Sequence, residues 1–122
     1  MSISMSTSKA LQIVIVTIGL TVVAPLPAAA ASGAAAWVKE YPQSDGSPAR
    51  SCATCHTADL TKTGKHAKTG KPIKPLAPSV NPERLTDQKK VEKWLLRNCR
   101  WTLGRECTAA EKTDFISYIK SQ

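Results

Sequence analysis

Apolar residues recur at helical spacing in three segments of the chain. In the first, residues 33–41, Trp37 and Tyr41 lie four residues apart on one face, and Pro42 is expected to end the helix. No segment alternates apolar and polar residues in the way that a half-buried strand does. The pattern therefore predicts an all-α protein with three or more helices.

The second and third helices have recognisable N-terminal signals. Thr86 is a suitable N-cap for a helix that continues to about Asn98. Thr108 and Glu111, three residues apart, have the pattern of a capping box. The apolar positions of these two helices are Val91, Trp94 and Leu95, and then Phe115, Tyr118 and Ile119.

The first thirty residues have the pattern of a secretory signal peptide. Residues 1–9 are polar, residues 10–23 are apolar, and a run of alanines follows that a signal peptidase accepts. An apolar run of about fourteen residues is short for a membrane span of ~20, so an uncleaved anchor is the less favoured alternative. We expect residues 1–30 to be a signal peptide, and residues 31–122 to be one periplasmic domain without stable membrane insertion.

Composition changes this picture in two ways. Lys and Arg number 17 against 9 Asp and Glu, a formal charge of +8 that becomes +7 when Lys9 leaves with the signal peptide. Met1 and Met5 leave as well, so the mature domain has no methionine. The stability of a small exported domain with four cysteines is expected to depend on a covalent cross-link or a bound metal.

The segment from Ser51 to His56 contains Cys-x-x-Cys-His, the attachment signature of c-type haem. In a helical turn, Cys52 and Cys55 reach the two vinyl groups of one haem c as thioethers, and His56 binds the iron. A redox-active pair, a zinc site or a structural disulfide explains these residues less well. The chain has no α/β pattern, the other two cysteines are eight apart, and a disulfide gives His56 no role.

The sixth position of the iron has several candidates, because no methionine remains to fill it. His66 is the other histidine, but it lies only ten residues after His56. Asn98 continues the apolar stripe of the second helix, although asparagine is equally suited to a helix C-cap. A lysine or a water molecule is also a candidate, and so is a vacant position. An amide oxygen is a hard ligand, so it is expected to leave ferrous iron and to admit dioxygen, nitric oxide or carbon monoxide.

The second cysteine pair lies at the two ends of the connection between the second and third helices: Cys99 directly follows Asn98, and Cys107 directly precedes Thr108. A bond between Cys99 and Cys107 closes a nine-residue loop and contributes ~2.5 kcal/mol in the chain-entropy model. It also fixes the end of the helix that carries Asn98. Two free, buried thiols are the alternative.

Lysine recurs at every third residue between the first two helices, in a stretch whose Gly and Pro residues argue against a helix. The residues are Lys62, Lys65, Lys68, Lys71 and Lys74. On an extended, polyproline-like segment they align along one edge that attracts an acidic redox protein. The alternative is a solvated loop that offsets the haem propionates. Nucleic acid is not an expected partner of an exported domain whose basic residues have no interleaved aromatics.

From Cys52 to about Tyr118 the sequence resembles the sphaeroides haem protein family of class I cytochromes c. The matching stretches are CATCH (52–56), TGKPIKPLAP (69–78), LTD (85–87), KVEKWL with RNC (90–99), LGREC (103–107) and the pair Glu111-Lys112. The resemblance implies a helical class I fold and a ferric haem held by His56 and a displaceable Asn98. It also implies a Cys99–Cys107 disulfide.

The same resemblance implies dioxygen binding by the ferrous form, and electrons supplied by a dihaem cytochrome c and a membrane b-type cytochrome. The related cytochrome c-double-prime has histidine in place of Asn98, and neither relative uses the position of His66. Two functions follow as hypotheses. The first is electron transfer with a gas-accessible haem, and the second is a haem enzyme or gas sensor that reduces a small oxidant. No distal acid–base pair can be placed, so the first is favoured.

Overall fold

The computed structural model describes Gly19 and residues 22–122. Most of the predicted signal-peptide core, with both methionines, lies outside the described residues. The helices are α1 (Ala28–Val38), α2 (Ala53–His56), α3 (Gln88–Leu103) and α4 (Ala109–Lys120), and the strands are β1 (Gly64–Lys65) and β2 (Pro72–Ile73). Within this part of the chain, no helix is long and apolar enough to cross a membrane.

α1 and α4 pack directly against each other. Gly33 makes this possible, because a Cβ at that position would meet the backbone carbonyl of Asp114 and the Cβ of Tyr118. Trp37 is buried one turn later, with its ring centroid 5.8 Å from that of Tyr118 and 6.2 Å from that of Phe115. The apolar stripe predicted for the third helix is therefore the core face of α4.

Both the predicted start of the first helix, at residue 33, and its predicted end, at residue 41, are wrong. α1 begins at Ala28 and ends at Val38, and Lys39 is already extended. Tyr41 does not continue the helix, because it forms an isolated antiparallel bridge with Arg50 through hydrogen bonds of 2.8 and 3.0 Å. The helix therefore ends four residues before Pro42, and the chain is extended from Lys39 to this bridge.

The predicted start and end of the second helix are also wrong by a few residues. Asp87, not Thr86, is the N-cap of α3, and its carboxylate accepts a hydrogen bond from the backbone N–H of Lys90 at 3.1 Å. The helix continues five residues beyond Asn98, to Leu103, and Gly104 follows with a φ of 74°. Asn98 is therefore inside the helix, and the C-cap explanation for this asparagine does not apply.

The capping box predicted for the third helix is confirmed. The Thr108 hydroxyl accepts from the Glu111 N–H at 3.2 Å, and the Glu111 carboxylate accepts from the Thr108 N–H at 2.9 Å.

The lysine-rich segment is not extended as predicted. β1 and β2 pair in antiparallel fashion, with Lys65 opposite Pro72, and a turn closes the hairpin. The N–H of His66 donates to the Lys71 carbonyl at 2.8 Å, and Gly70 takes a φ of 68° in the turn. The lysines therefore lie around a small hairpin rather than along one edge. The strands have two residues each, which is too short for an alternating pattern to reveal them.

Candidate haem site

The Cys-x-x-Cys-His segment forms a single helical turn, α2. The turn starts where the Ser51 N–H donates to the Thr54 hydroxyl at 2.9 Å, and it closes where the His56 N–H donates to the Cys52 carbonyl at 3.2 Å. Cys52 and Cys55 are both half-buried on this turn, and neither is part of a disulfide. The local geometry is the one that the motif predicts.

Two close packing contacts hold this turn in place. Gly64 in β1 lies against the backbone of Cys55, and a Cβ there would meet the Cys55 carbonyl. On the other side, the indole N–H of Trp37 donates to the Thr57 carbonyl at 2.9 Å, and its ring lies 5.8 Å from that of His56. Thr57 has a φ of 66°, a conformation that L side chains rarely adopt. The residue after His56 is therefore fixed by a hydrogen bond from α1.

A cavity of about 1000 Å³ opens beside α2. It is at the upper end of the ~300–1,000 Å³ range of cofactor sites. Its lining brings together all the predicted haem residues: Cys52, Cys55, His56, Asn98 and the alternative ligand His66. Large apolar side chains complete the wall: Trp37, Leu76, Val91, Trp94, Leu95 and Trp101.

α3 contributes its apolar face to this cavity rather than to the protein core. Only Cys99 and Thr102 of this helix are buried, and Trp94 is 50% exposed. An amphipathic helix normally buries its apolar stripe against other elements. Two thiols, an imidazole and an apolar wall around one large cavity fit a covalently attached haem.

Burial sets the charge of the groups on α2. Desolvation, with a smaller contribution from the positive charge of Arg84, lowers the pKa of His56 to about 4. The imidazole is therefore neutral near pH 7, which is the form that binds a metal. Desolvation also raises the pKa of the Cys52 thiol to about 12, so this sulfur carries its proton until the haem is attached.

His66 is held in a conformation that does not suit an iron ligand. Its Nδ1 accepts hydrogen bonds from the backbone N–H groups of Lys68 and Thr69, each at 3.2 Å. A neutral imidazole that accepts at Nδ1 carries its proton on Nε2, so Nε2 is a donor. The same loop lies beside the haem motif, because the Ala67 N–H is 3.4 Å from the Cys55 sulfur.

The Cys99–Cys107 disulfide is present, with a Cα–Cα distance of 5.6 Å. Both cysteines are buried. The bond joins the last turns of α3 to the start of α4, directly after Asn98.

Arg84 is a site residue that the sequence pattern did not reveal. It lines the cavity and donates to two backbone carbonyls, from Nε to Pro75 at 2.9 Å and from Nη2 to Lys74 at 2.8 Å. It lies in an irregular Pro-rich segment, where no helical or strand periodicity marks a residue as facing the interior. Its proximity to His56 arises only from tertiary folding.

Residues 24–119 match a family described as a domain of unknown function, DUF1924. Over 105 residues the chain is 46% identical to the cytochrome c-type protein SHP of Cereibacter sphaeroides. This alignment covers 85% of this chain and 79% of that protein. The chain belongs to the sphaeroides haem protein family. It is also 45% identical to cytochrome c'' of Methylophilus methylotrophus over 71 residues, 58% of this chain and about half (49%) of that protein.

Solved structures of the sphaeroides haem protein family and of cytochrome c'' have the same fold. Oxidised SHP, described as an oxygen-binding cytochrome c, matches with a TM-score of 0.69 and 44% identity over 81% of this chain and 85% of that one. Oxidised cytochrome c'' matches with a TM-score of 0.70 and 36% identity over 80% of this chain and 77% of that one. The predicted all-α class I cytochrome c fold is confirmed, and so is the predicted cofactor, one covalently bound haem c.

Proposed function

We propose that this chain is a periplasmic cytochrome that transfers single electrons and binds diatomic gases when reduced. Cys52 and Cys55 attach the haem, His56 is the permanent iron ligand, and Asn98 is a weak sixth ligand that leaves on reduction. The observation that carries the proposal is the position of Asn98, which is inside α3 and lines the same cavity as the three motif residues.

Two observations favour Asn98 over the other candidates for the sixth ligand of the iron. Asn98 caps no helix end, so capping does not account for an amide on the cavity face of α3. His66, the competing ligand, has its Nδ1 occupied by two backbone donors. SHP, which matches this chain across most of its length, is described as an oxygen-binding cytochrome c, and we extend that property to this chain.

The haem supplies a reversible one-electron couple and, when ferrous, a binding position for O2, NO or CO. The neutral imidazole of His56 provides a strong, permanent ligand on one face. The Asn98 amide provides a hard oxygen on the other, which favours ferric over ferrous iron. The disulfide next to Asn98 keeps the end of α3 in position in both oxidation states.

The wider setting of this function is part of the proposal. About the first thirty residues act as a signal peptide that directs the rest of the chain to the periplasm. The expected partners are redox proteins, with a dihaem cytochrome c and a membrane b-type cytochrome as electron donors. The lysine hairpin, residues 62–74, is the expected docking face for an acidic partner.

Optical spectra of Asn98→Ala in both oxidation states test the ligand assignment. We expect the ferric spectrum to change, because the amide oxygen is lost, and the ferrous spectrum to stay as in the wild type. His66→Ala is the matched control and should change neither spectrum. An unchanged ferric spectrum in Asn98→Ala would contradict the assignment, and a change in His66→Ala would point to His66 instead.

Stopped-flow mixing of the reduced protein with dioxygen tests the function itself. A spectrum of the dioxygen complex that is stable after mixing is complete supports reversible binding. Continuous consumption of dioxygen in the presence of excess reductant would instead identify an enzyme that reduces a small oxidant.

A further inference from the structure

Arg84 is a guanidinium held in a fixed orientation at the wall of the cavity. Its Nε and Nη2 atoms donate to consecutive backbone carbonyls, those of Pro75 and Lys74, at 2.9 and 2.8 Å. The Asn81 side chain donates to the same Pro75 carbonyl at 3.0 Å. The loop therefore orients Arg84 before any ligand binds, which reduces the entropy lost on binding.

The remaining N–H groups of Arg84 have no acidic partner in the described part of the chain. The ion pairs found there are Arg100–Glu106, Arg105–Glu111 and Lys112–Glu92. Glu83 and Asp87 line the same cavity as Arg84, but neither lies within ion-pair distance of it. No hydrogen bond from Nη1 connects it to a described residue.

A half-buried positive charge beside an apolar wall is unfavourable unless a counter-charge accompanies it. Haem c itself carries the missing anions, since each of its two propionates ends in a carboxylate. Arginine is well suited to bind a carboxylate through paired N–H donors.

We propose that Arg84 would bind one haem propionate through Nη1 and in this way help to hold the haem in the cavity. This inference rests on the proposed attachment at Cys52, Cys55 and His56. It makes Arg84 a positioning residue with an electrostatic effect. Its positive charge disfavours the ferric state, which carries one more positive charge than the ferrous state, so Arg84 raises the reduction potential.

The test compares Arg84→Gln and Arg84→Lys with the control Arg50→Gln, all as holoproteins. Arg50 is also half-buried and forms no ion pair with a described carboxylate. It donates a hydrogen bond to the Trp101 carbonyl at 2.9 Å and stacks on the indole ring of Trp101, but it does not line the cavity. The control therefore removes the same charge from a site that does not face the haem. The measurements are the propionate bending mode in resonance Raman spectra and the reduction potential at fixed pH and ionic strength.

We expect Arg84→Gln to shift the propionate mode and to lower the potential by more than Arg50→Gln does. Arg84→Lys keeps the charge but loses the two carbonyl contacts, so it should retain a reduction potential close to that of the wild type. Equal effects of Arg84→Gln and Arg50→Gln would overturn the proposal. Equal decreases of the reduction potential in Arg84→Gln and Arg84→Lys, with an unshifted propionate mode, would also overturn it. That result would show that Arg84 only stabilises the loop through its two carbonyl contacts.

The optical spectrum of each purified protein separates this proposal from the one on which it rests. A wild-type protein without covalent haem would contradict the attachment at Cys52 and Cys55, and the Arg84 proposal with it. A haem-bearing protein with normal ligand bands but no Arg84-specific shift would contradict the Arg84 proposal alone.

Discussion

At the scale of single residues, the surroundings of a side chain decide its charge, and the charge decides its use. Burial lowers the pKa of His56 to about 4 and so keeps the imidazole neutral near pH 7, which is the form that binds a metal. Hydrogen bonds also lower the pKa of Glu111, but for a carboxyl group this favours the charged form. The Arg105 guanidinium is the main cause that lowers the pKa of Glu111 from 4.5 to about 2, and the Thr108 N–H assists. The first group is kept uncharged, and the second is kept charged.

Glu111→Gln is expected to destabilise the protein in a pH-dependent way. The folded pKa of Glu111 lies below its ordinary value, so its contribution is present above about pH 4.5 and is lost as the pH falls towards 2. We expect the free energy of unfolding to fall by about 1 kcal/mol at neutral pH, from the lost cap and ion pair. Urea unfolding at neutral pH and at pH 2 to 3 measures this.

Glu106→Gln is the control, because Glu106 pairs with Arg100 and both side chains are about 60% exposed. It should change stability little at either pH. An equal loss for Glu111→Gln at both pH values would show that the effect is not electrostatic.

At the scale of elements, the features that could be predicted are those encoded by neighbouring residues. The haem turn and the capping box of α4 depend on residues within a few positions of each other, and both were found where predicted. The end of α1 could not be predicted, because Tyr41 leaves the helix to pair with Arg50, nine residues away. Arg84 could not be identified as a site residue for a similar reason, since the carbonyls that orient it are nine and ten residues upstream.

The packing of α1 on α4 depends on Gly33, which has no side chain. A Cβ there would lie within 2.7 Å of Tyr118 Cβ and closer still to the Asp114 carbonyl oxygen, both on the rigid face of α4. Gly33→Ala must therefore separate the helices, and we expect a loss of about 1–3 kcal/mol in the free energy of unfolding. Denaturant unfolding of the holoprotein measures the loss.

Ser32→Ala is the matched control on the exposed side of α1. It should alter stability by no more than ~0.5 kcal/mol. A Gly33→Ala protein as stable as this control would show that α1 and α4 can separate without cost.

At the scale of the whole molecule, a cluster of five lysines lies beside the haem motif. The lysine hairpin is exposed at all five lysines, and its turn contacts the Cys55 sulfur through the Ala67 N–H. The chain has no acidic residue between Asp59 and Glu83. We expect this field to attract an acidic partner to the edge where one thioether is expected.

Charge reversal tests this steering. The triple substitution Lys62→Glu, Lys65→Glu and Lys71→Glu is expected to slow reduction by flavodoxin, an acidic electron donor, about tenfold at low salt. Stopped-flow spectroscopy measures the rate, and the difference should disappear at high ionic strength.

The control is the same charge change away from the hairpin, at Lys89, Lys93 and Lys120, which are exposed on α3 and α4. Equal slowing in both triple variants would mean that net charge, rather than the hairpin, governs the encounter.

The aromatic wall of the cavity has a consequence for how this protein can be observed. All three tryptophans of the chain, Trp37, Trp94 and Trp101, line the cavity. A haem absorbs light at the wavelengths at which indole emits, so energy transfer should quench all three fluorophores. Unfolding alone restores only part of the emission, because the thioether bonds keep the quencher on the chain. The fluorescence of this protein therefore measures how much of a preparation has acquired its haem, and not only how much of it is folded.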